Sequence, residues 1–138
     1  MINKGNQDHF KPASVDWGLD EQLARIERAL AEMDGLGNRR DEQAVELRTT
    51  HNAELHSSIV AAARSPRLPQ LLHQLVSVNA IARNFGQYSA DAVERSQRQH
   101  HDIVDAIRWQ NAELARAAMT THLLTAAEVL ADVSEPVE

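Results

Sequence analysis

Apolar residues recur along this chain in steps of three and four. From Leu19 they fall at Leu23, Ile26, Leu30 and Met33, which predicts one helical stripe. Gly35 and Gly37 follow and predict its end. A second helix is predicted from about Asn38, with Asp41 and Glu42 in the first turn, where acidic side chains complement the helix dipole. It carries Val45, Leu47, Asn52, His56, Ile59, Val60 and Ala63. Ser65-Pro66 stops it and opens a third helix with Leu68, Leu71, Leu72, Leu75, Val78 and Ile81, fraying near Gly86. A fourth runs from about Ser89 to Trp109, with Val93, Ile103, Val104 and Ile107 inward. Asn111 ends it and caps a fifth, which carries Leu114, Ala118, Met119, Leu123, Ala126 and Val129. Short connections make consecutive helices antiparallel neighbours, so the expected fold is all-α, an antiparallel helical bundle. Residues 1–17 read as an N-terminal tail or partial first helix, 18–133 as the bundle and 134–138 as a C-terminal tail.

Composition supports one such domain. The chain has 138 residues; hydrophobic side chains are 43% but aromatic ones only 4%, so the core must be mostly Leu, Ile, Val and Ala. Fourteen basic against 20 acidic residues give a net charge of −6, which argues against a nucleic-acid surface. Cysteine is absent, which removes disulfides, thiolate metal sites and cysteine nucleophiles. No apolar run approaches the ~18 residues of a membrane span, and the first residues form no signal-peptide core. The expected location is the cytoplasm.

Seven histidines are many for this length, and helical faces sort them. His56 has Ile59, Val60 and Ala63 at offsets of three, four and seven, with Asn52 four residues before it on the same face. His100 has Ile103, Val104 and Ile107 at those same offsets. His122 lies between Ala118 and Met119 on one side and Ala126 and Val129 on the other. These three face the core. His101 shares its face with Gln97, Asp105 and Arg108, which reads as solvent; His51 and His73 have mixed neighbours, and His9 lies in the tail.

Register adds to this. His100 and His122 each stand eleven residues from Asn111. If the chain folds back there, both lie about 16 Å from the turn, at one level of the bundle. Two inward histidines at one height can share a metal, and Asn52 with His56 could complete the set. Imidazole suits Zn, Ni, Cu or Fe. The competing reading is three core histidines hydrogen-bonded to carbonyls or carboxylates.

The order of these residues resembles a known family. Asn52-x-x-x-His56, Ser65-Pro66-Arg67-Leu68 with Leu71-Leu72, His100-x-x-Ile103-Val104-x-Ala106-Ile107, and Ala117-Ala118-Met119-x-x-His122-Leu123 together resemble the FCD domain. That is the C-terminal effector-binding domain of the fatty-acid-responsive subfamily of GntR transcription regulators. The likeness runs from about Leu19 to Ala131. It implies an antiparallel helical bundle that often holds a divalent metal on an Asp, a His four residues later and two further histidines. These positions fall on Asn52, His56, His100 and His122. The chain departs from the pattern where Asn52 replaces the usual Asp. An amide oxygen carries no charge, which weakens the metal site and leaves the dication freer to attract an anion. Arg64-Ser65 replaces the usual Gly-Asn, and Gln110-Asn111 the usual Gly-Asp. The winged helix-turn-helix domain of family regulators has no counterpart in the residues before Leu19, so DNA binding by this chain alone is not expected.

The resemblance implies a ligand-sensing domain, expected as a homodimer. A divalent metal, Zn or Ni before others, would sit on His56, His100 and His122 with Asn52 as a weak fourth ligand. A small carboxylate effector would take the open positions. Arg83 offers a bidentate fork for a carboxylate, and Asn79 lies one turn away on the same helix. Two other classes compete. A metal-free helical dimerisation module would use the histidines as packing and modulate a full-length regulator. A metal-dependent hydrolase would need a general base, and Glu54 and Asp102 point away from the three histidines.

Overall fold

The computed structural model describes residues 20–63, 85–86 and 88–134; among these it contains four helices and no strand. They are α1 (Asp20–Leu36), α2 (Glu42–Ala63), α3 (Ala90–Arg108) and α4 (Ala112–Ser134). α1 packs on α2, α3 packs on α4, and α1 also touches α3. The helix anticipated around Leu68–Ile81, with Asn79 and Arg83, lies outside the described residues.

Each helix end has a local cause. α1 stops where Gly37 takes φ +55°, a left-handed conformation that glycine adopts without the cost of a side chain. Gly35 sits inside the last turn and does not end the helix. α2 starts at Glu42, later than the sequence suggests, because Asp41 is its cap. The Asp41 carboxylate accepts from the Ala44 backbone N–H at 3.1 Å. Arg39 holds that carboxylate through Nε and Nη2, both at 3.0 Å, so Asn38 to Arg40 stay in the loop. Ser89 caps α3 by accepting from the Ala92 N–H at 3.1 Å.

The α3–α4 turn sets the register that matters most. Gln110 adopts φ +54°, and the Asn111 Oδ1 accepts from the Leu114 N–H at 3.0 Å. Asn111 therefore both closes the hairpin and caps α4, as its position in the sequence suggests. Arg48 ties the other hairpin. Its Nη1 donates to the Arg39 carbonyl at 3.1 Å and its Nη2 to the Gly37 carbonyl at 3.2 Å.

The main core joins Ile26, Ala29, Leu30 and Met33 of α1, Leu55 and Ile59 of α2, and Ile103 and Val104 of α3. Ile107, Ala118 and Met119 pack against it. A second cluster joins Phe85, Tyr88, Ala92 and Val93, with Val45 and Val129 against it. The inward row of α2 is Ala44, Arg48, Asn52, Leu55 and Ile59, so Leu47 faces outward at 37% exposure. Leu114, in the first turn of α4, is 41% exposed for the same reason of face. Among the most completely buried large side chains stands one that is not apolar: His100, beside Ile26, Leu55, Ile103 and Val104.

Core and surface leucines should therefore respond differently. Leu55→Ala is expected to cost about 2–5 kcal/mol by leaving a cavity among α1, α2 and α3. Leu124→Ala, at a site 64% exposed, should change stability by less than about 0.5 kcal/mol. Urea denaturation of the two variants measures both.

Candidate metal centre

His56 comes from the middle of α2, His100 from α3 and His122 from α4. The structure brings one ring nitrogen of each to within 4.8 Å of the others. The rings pack closely: centroids are 4.5 Å apart for His100 and His122, 5.3 Å for His56 and His122, and 5.4 Å for His56 and His100. His100 and His122 are buried, at 1% and 6% exposure. His56 is half-buried as a residue, but its Nδ1 is fully shielded and has no hydrogen-bond partner among the described residues.

The hydrogen bonds around the rings decide their tautomers. The Gln97 side-chain amide donates to the Leu30 carbonyl at 3.2 Å and to the Asp34 carboxylate at 2.8 Å. Both are acceptors only, so the Gln97 NH2 is turned to them and its oxygen to His100 Nδ1, 3.0 Å away. His100 Nδ1 must carry the proton. The same logic runs through α4. Thr125 donates its hydroxyl proton to the Thr121 carbonyl at 2.8 Å, so its oxygen accepts from the Gln99 NH2 at 3.0 Å. The Gln99 oxygen then faces His122 Nδ1 at 3.0 Å, which also carries its proton. Each neutral ring is left with a bare lone pair on Nε2.

Those two Nε2 atoms face each other at 3.2 Å. Lone pair against lone pair is repulsive unless a proton or a cation stands between them. A proton is disfavoured. Burial, with the neighbouring rings adding to it, pushes His100 well below its ordinary value. Burial lowers His56 to about 3, helped by His122, and lowers His122 to about 4. Three neutral imidazoles are the protonation state that metal binding requires.

The donor set fits a divalent transition metal. Neighbouring nitrogens bound ~2.0–2.1 Å from one ion lie about 2.9–3.4 Å apart over octahedral to tetrahedral angles, and the observed 3.2 Å falls in that range. The orphaned His56 nitrogen is a buried polar atom in want of a partner. The two glutamines do what second ligand shells do: they fix ring tautomer and orientation through the remaining N–H.

These are the three rings whose helical faces are apolar in the sequence, with His100 rather than His101 facing inward. His101 is partly exposed and donates to both oxygens of Asp34, at 2.9 and 3.0 Å. His51 pairs with Glu54 at 3.2 Å, on the surface. Asn52 is buried at 5% exposure, one turn before His56 on α2. Glu54 and Asp102 are exposed. Arg83 and Asn79 lie outside the described residues. The residues that sequence reasoning missed are Gln97 and Gln99. Gln97 precedes His100 by three, a helical neighbour spacing, but its shared face with His101 and Arg108 reads as solvent. Gln99 reaches a ring on a different helix, so only the interhelical register reveals it.

The depressed histidines make stability depend on pH in a definite direction. Above about pH 6.5 folded and unfolded rings are both neutral and contribute no slope. Below it the unfolded chain takes up protons that the folded rings refuse, so stability falls as pH falls toward the native values of about 4 and about 3. Near pH 5 the loss is on the order of 2 kcal/mol for each such ring. Urea midpoints of the chelator-treated protein at pH 7 and pH 5 should show this loss. A variant with His56, His100 and His122 all replaced by Gln should show most of it removed.

The FCD domain family matches residues 18–125. No curated protein and no solved structure matches the chain. The matched stretch covers most of α1 to α4 and contains all three centre histidines together with Asn52, Gln97 and Gln99. The chain belongs to the FCD family, the C-terminal effector-binding domain of GntR-family regulators.

Proposed function

We propose that residues 18–133 form a ligand-sensing bundle. In it His56, His100 and His122 hold a divalent metal, Zn or Ni, with Asn52 as a weak fourth ligand. A small carboxylate would bind beside them as the effector. The observation that carries this reading is the pair of unprotonated Nε2 atoms facing each other at 3.2 Å in an apolar interior. Packed core histidines normally point such a nitrogen at a donor. Here the Gln97 and Gln99 side-chain amides beside the rings spend their N–H donors on Leu30, Asp34 and Thr125.

The metal would supply a fixed positive charge and open coordination positions for an oxygen ligand. The chain's own groups do the rest. Gln97 and Gln99 keep both Nδ1 protons in place, and the surrounding Ile103, Val104 and Leu55 keep water scarce. Three neutral imidazoles and an amide leave the charge of a dication uncompensated, which favours an anion as the ligand. Effector binding would then bias one arrangement of a homodimer over another, which requires only different affinities for the two. No helix among the described residues is long and apolar enough to cross a membrane, in keeping with a cytoplasmic role.

Binding is favoured over hydrolysis by one further observation. No carboxylate of the described residues joins the three histidines, so those residues place no carboxylate base at the centre to take a proton from water.

Elemental mass spectrometry of the untagged protein tests the metal. About one equivalent per chain is expected, and none in the variant with His56, His100 and His122 replaced by Ala. A parent protein that stays metal-free after incubation with Zn and with Ni would contradict the reading.

A further inference from the structure

Followed outward among the described residues, the hydrogen bonds of the histidine centre take two unlike routes. His122 Nδ1 faces the Gln99 oxygen, Gln99 donates to the Thr125 hydroxyl, and Thr125 donates to the Thr121 carbonyl. That route stays within α3 and α4 and ends on a neutral acceptor. His100 Nδ1 faces the Gln97 oxygen at 3.0 Å, and the Gln97 amide donates to the Asp34 carboxylate at 2.8 Å. This second route crosses to α1 and ends on an anion, 63 residues away in the chain. The Asp34 side chain is itself 44% exposed. It is the carboxylate that the centre reaches among the described residues, since the three clustered side chains are all histidines.

A buried set of neutral rings lacks the negative charge that would offset a dication, and leaving a buried charge unmatched is costly. A carboxylate one amide away from a ring can supply part of it. It holds the amide with its oxygen toward the ring, which keeps the proton on Nδ1 and the lone pair on Nε2. It also polarises the amide along the chain of hydrogen bonds, which makes Nε2 the better donor to a metal. The Leu30 carbonyl takes the other Gln97 proton at 3.2 Å but carries no charge.

We propose that Asp34 is a remote positioning residue of the centre: acting through Gln97, it holds His100 in the Nδ1–H tautomer and supplies negative charge that the three rings lack. A residue at the surface of α1 thereby governs a nitrogen in the core. Asp34 has a second role, because His101 donates to the same carboxylate at 2.9 and 3.0 Å and so ties α1 to α3. His101→Ala cuts that surface tie and leaves the Gln97 relay whole, which separates the two roles. The effect on metal affinity rests on the metal-binding reading above; the effect on the tautomer stands without it.

Ring-nitrogen NMR shifts of His100 and His122 in the chelator-treated full chain report the tautomers directly. At about pH 8 an ordinary histidine such as an exposed one is neutral, so the Asp34 charge is not offset by its neighbour. Both rings are expected as Nδ1–H in the parent. Asp34→Ala should move His100 toward a mixture of tautomers and leave His122, held by Gln99, unchanged. Asp34→Asn keeps an acceptor oxygen without the charge and should restore the His100 tautomer. His101→Ala should leave both rings as in the parent. Zinc affinity, measured by competition with a chromophoric chelator, should fall about tenfold in Asp34→Ala, less in Asp34→Asn and not in His101→Ala. Unchanged His100 shifts together with unchanged zinc affinity in Asp34→Ala would overturn the proposal. So would His101→Ala reproducing both effects, which would reduce Asp34 to a tie between helices. If the parent binds no zinc, a His100 shift confined to Asp34→Ala upholds the relay while the metal reading fails, and no shift overturns the relay as well.

Discussion

Two imidazole nitrogens, each bearing a lone pair, stand 3.2 Å apart in the interior of this bundle, and much of the structure is organised to keep them there. The protons that would relieve the contact are committed elsewhere: His100 Nδ1 to Gln97, His122 Nδ1 to Gln99. Those glutamines are in turn locked by acceptors on α1 and α4. A chain of hydrogen bonds running from Leu30 and Asp34 to Thr121 thus ends in two bare nitrogens, with a buried His56 nitrogen beside them that has no partner among the described residues. Burial then keeps the rings neutral across the physiological range.

The fold serves this arrangement through register. α3 and α4 are joined by a turn in which Gln110 takes a left-handed conformation and Asn111 caps the next helix. Moving that turn by one residue would shift His122 about 1.5 Å and rotate it about 100° relative to His100, breaking the cluster. On the other side, the Asp41 cap and the Arg48 clamp fix where α2 begins and so where His56 falls. Caps worth about 1 kcal/mol each in stability therefore have a second effect, as positioning devices for ring nitrogens two or more turns away.

Much of this was legible in the chain. The three-and-four spacing of Ile26, Leu30 and Met33 marks α1, and Ser89 and Asn111 mark helix starts through chemistry that is local in sequence. His56, His100 and His122 stand out in the chain because each sits among apolar neighbours at helical offsets. Equal distance from Asn111 placed two of them at one height, and the structure places them in contact. What escaped was set by tertiary partners. Gln97 looks like a surface residue until α1 supplies its acceptors, and Gln99 is silent until α4 arrives. Arg48 sits at an inward position that an apolar pattern leaves unremarked; the loop carbonyls of Gly37 and Arg39 that accept from it there come from a different part of the hairpin. Leu47 and Leu114 misled in the opposite sense: apolar identity suggested an inward face that the actual helix phase denies.

X-ray absorption spectroscopy at the metal edge of the zinc- or nickel-loaded protein tests the central claim most directly, that these rings form one cation site. Three imidazole nitrogens at about 2.0–2.1 Å, with light-atom donors completing the shell, is the result this account predicts. A shell with one imidazole or none would contradict it, and would return the three histidines to the role of packed core.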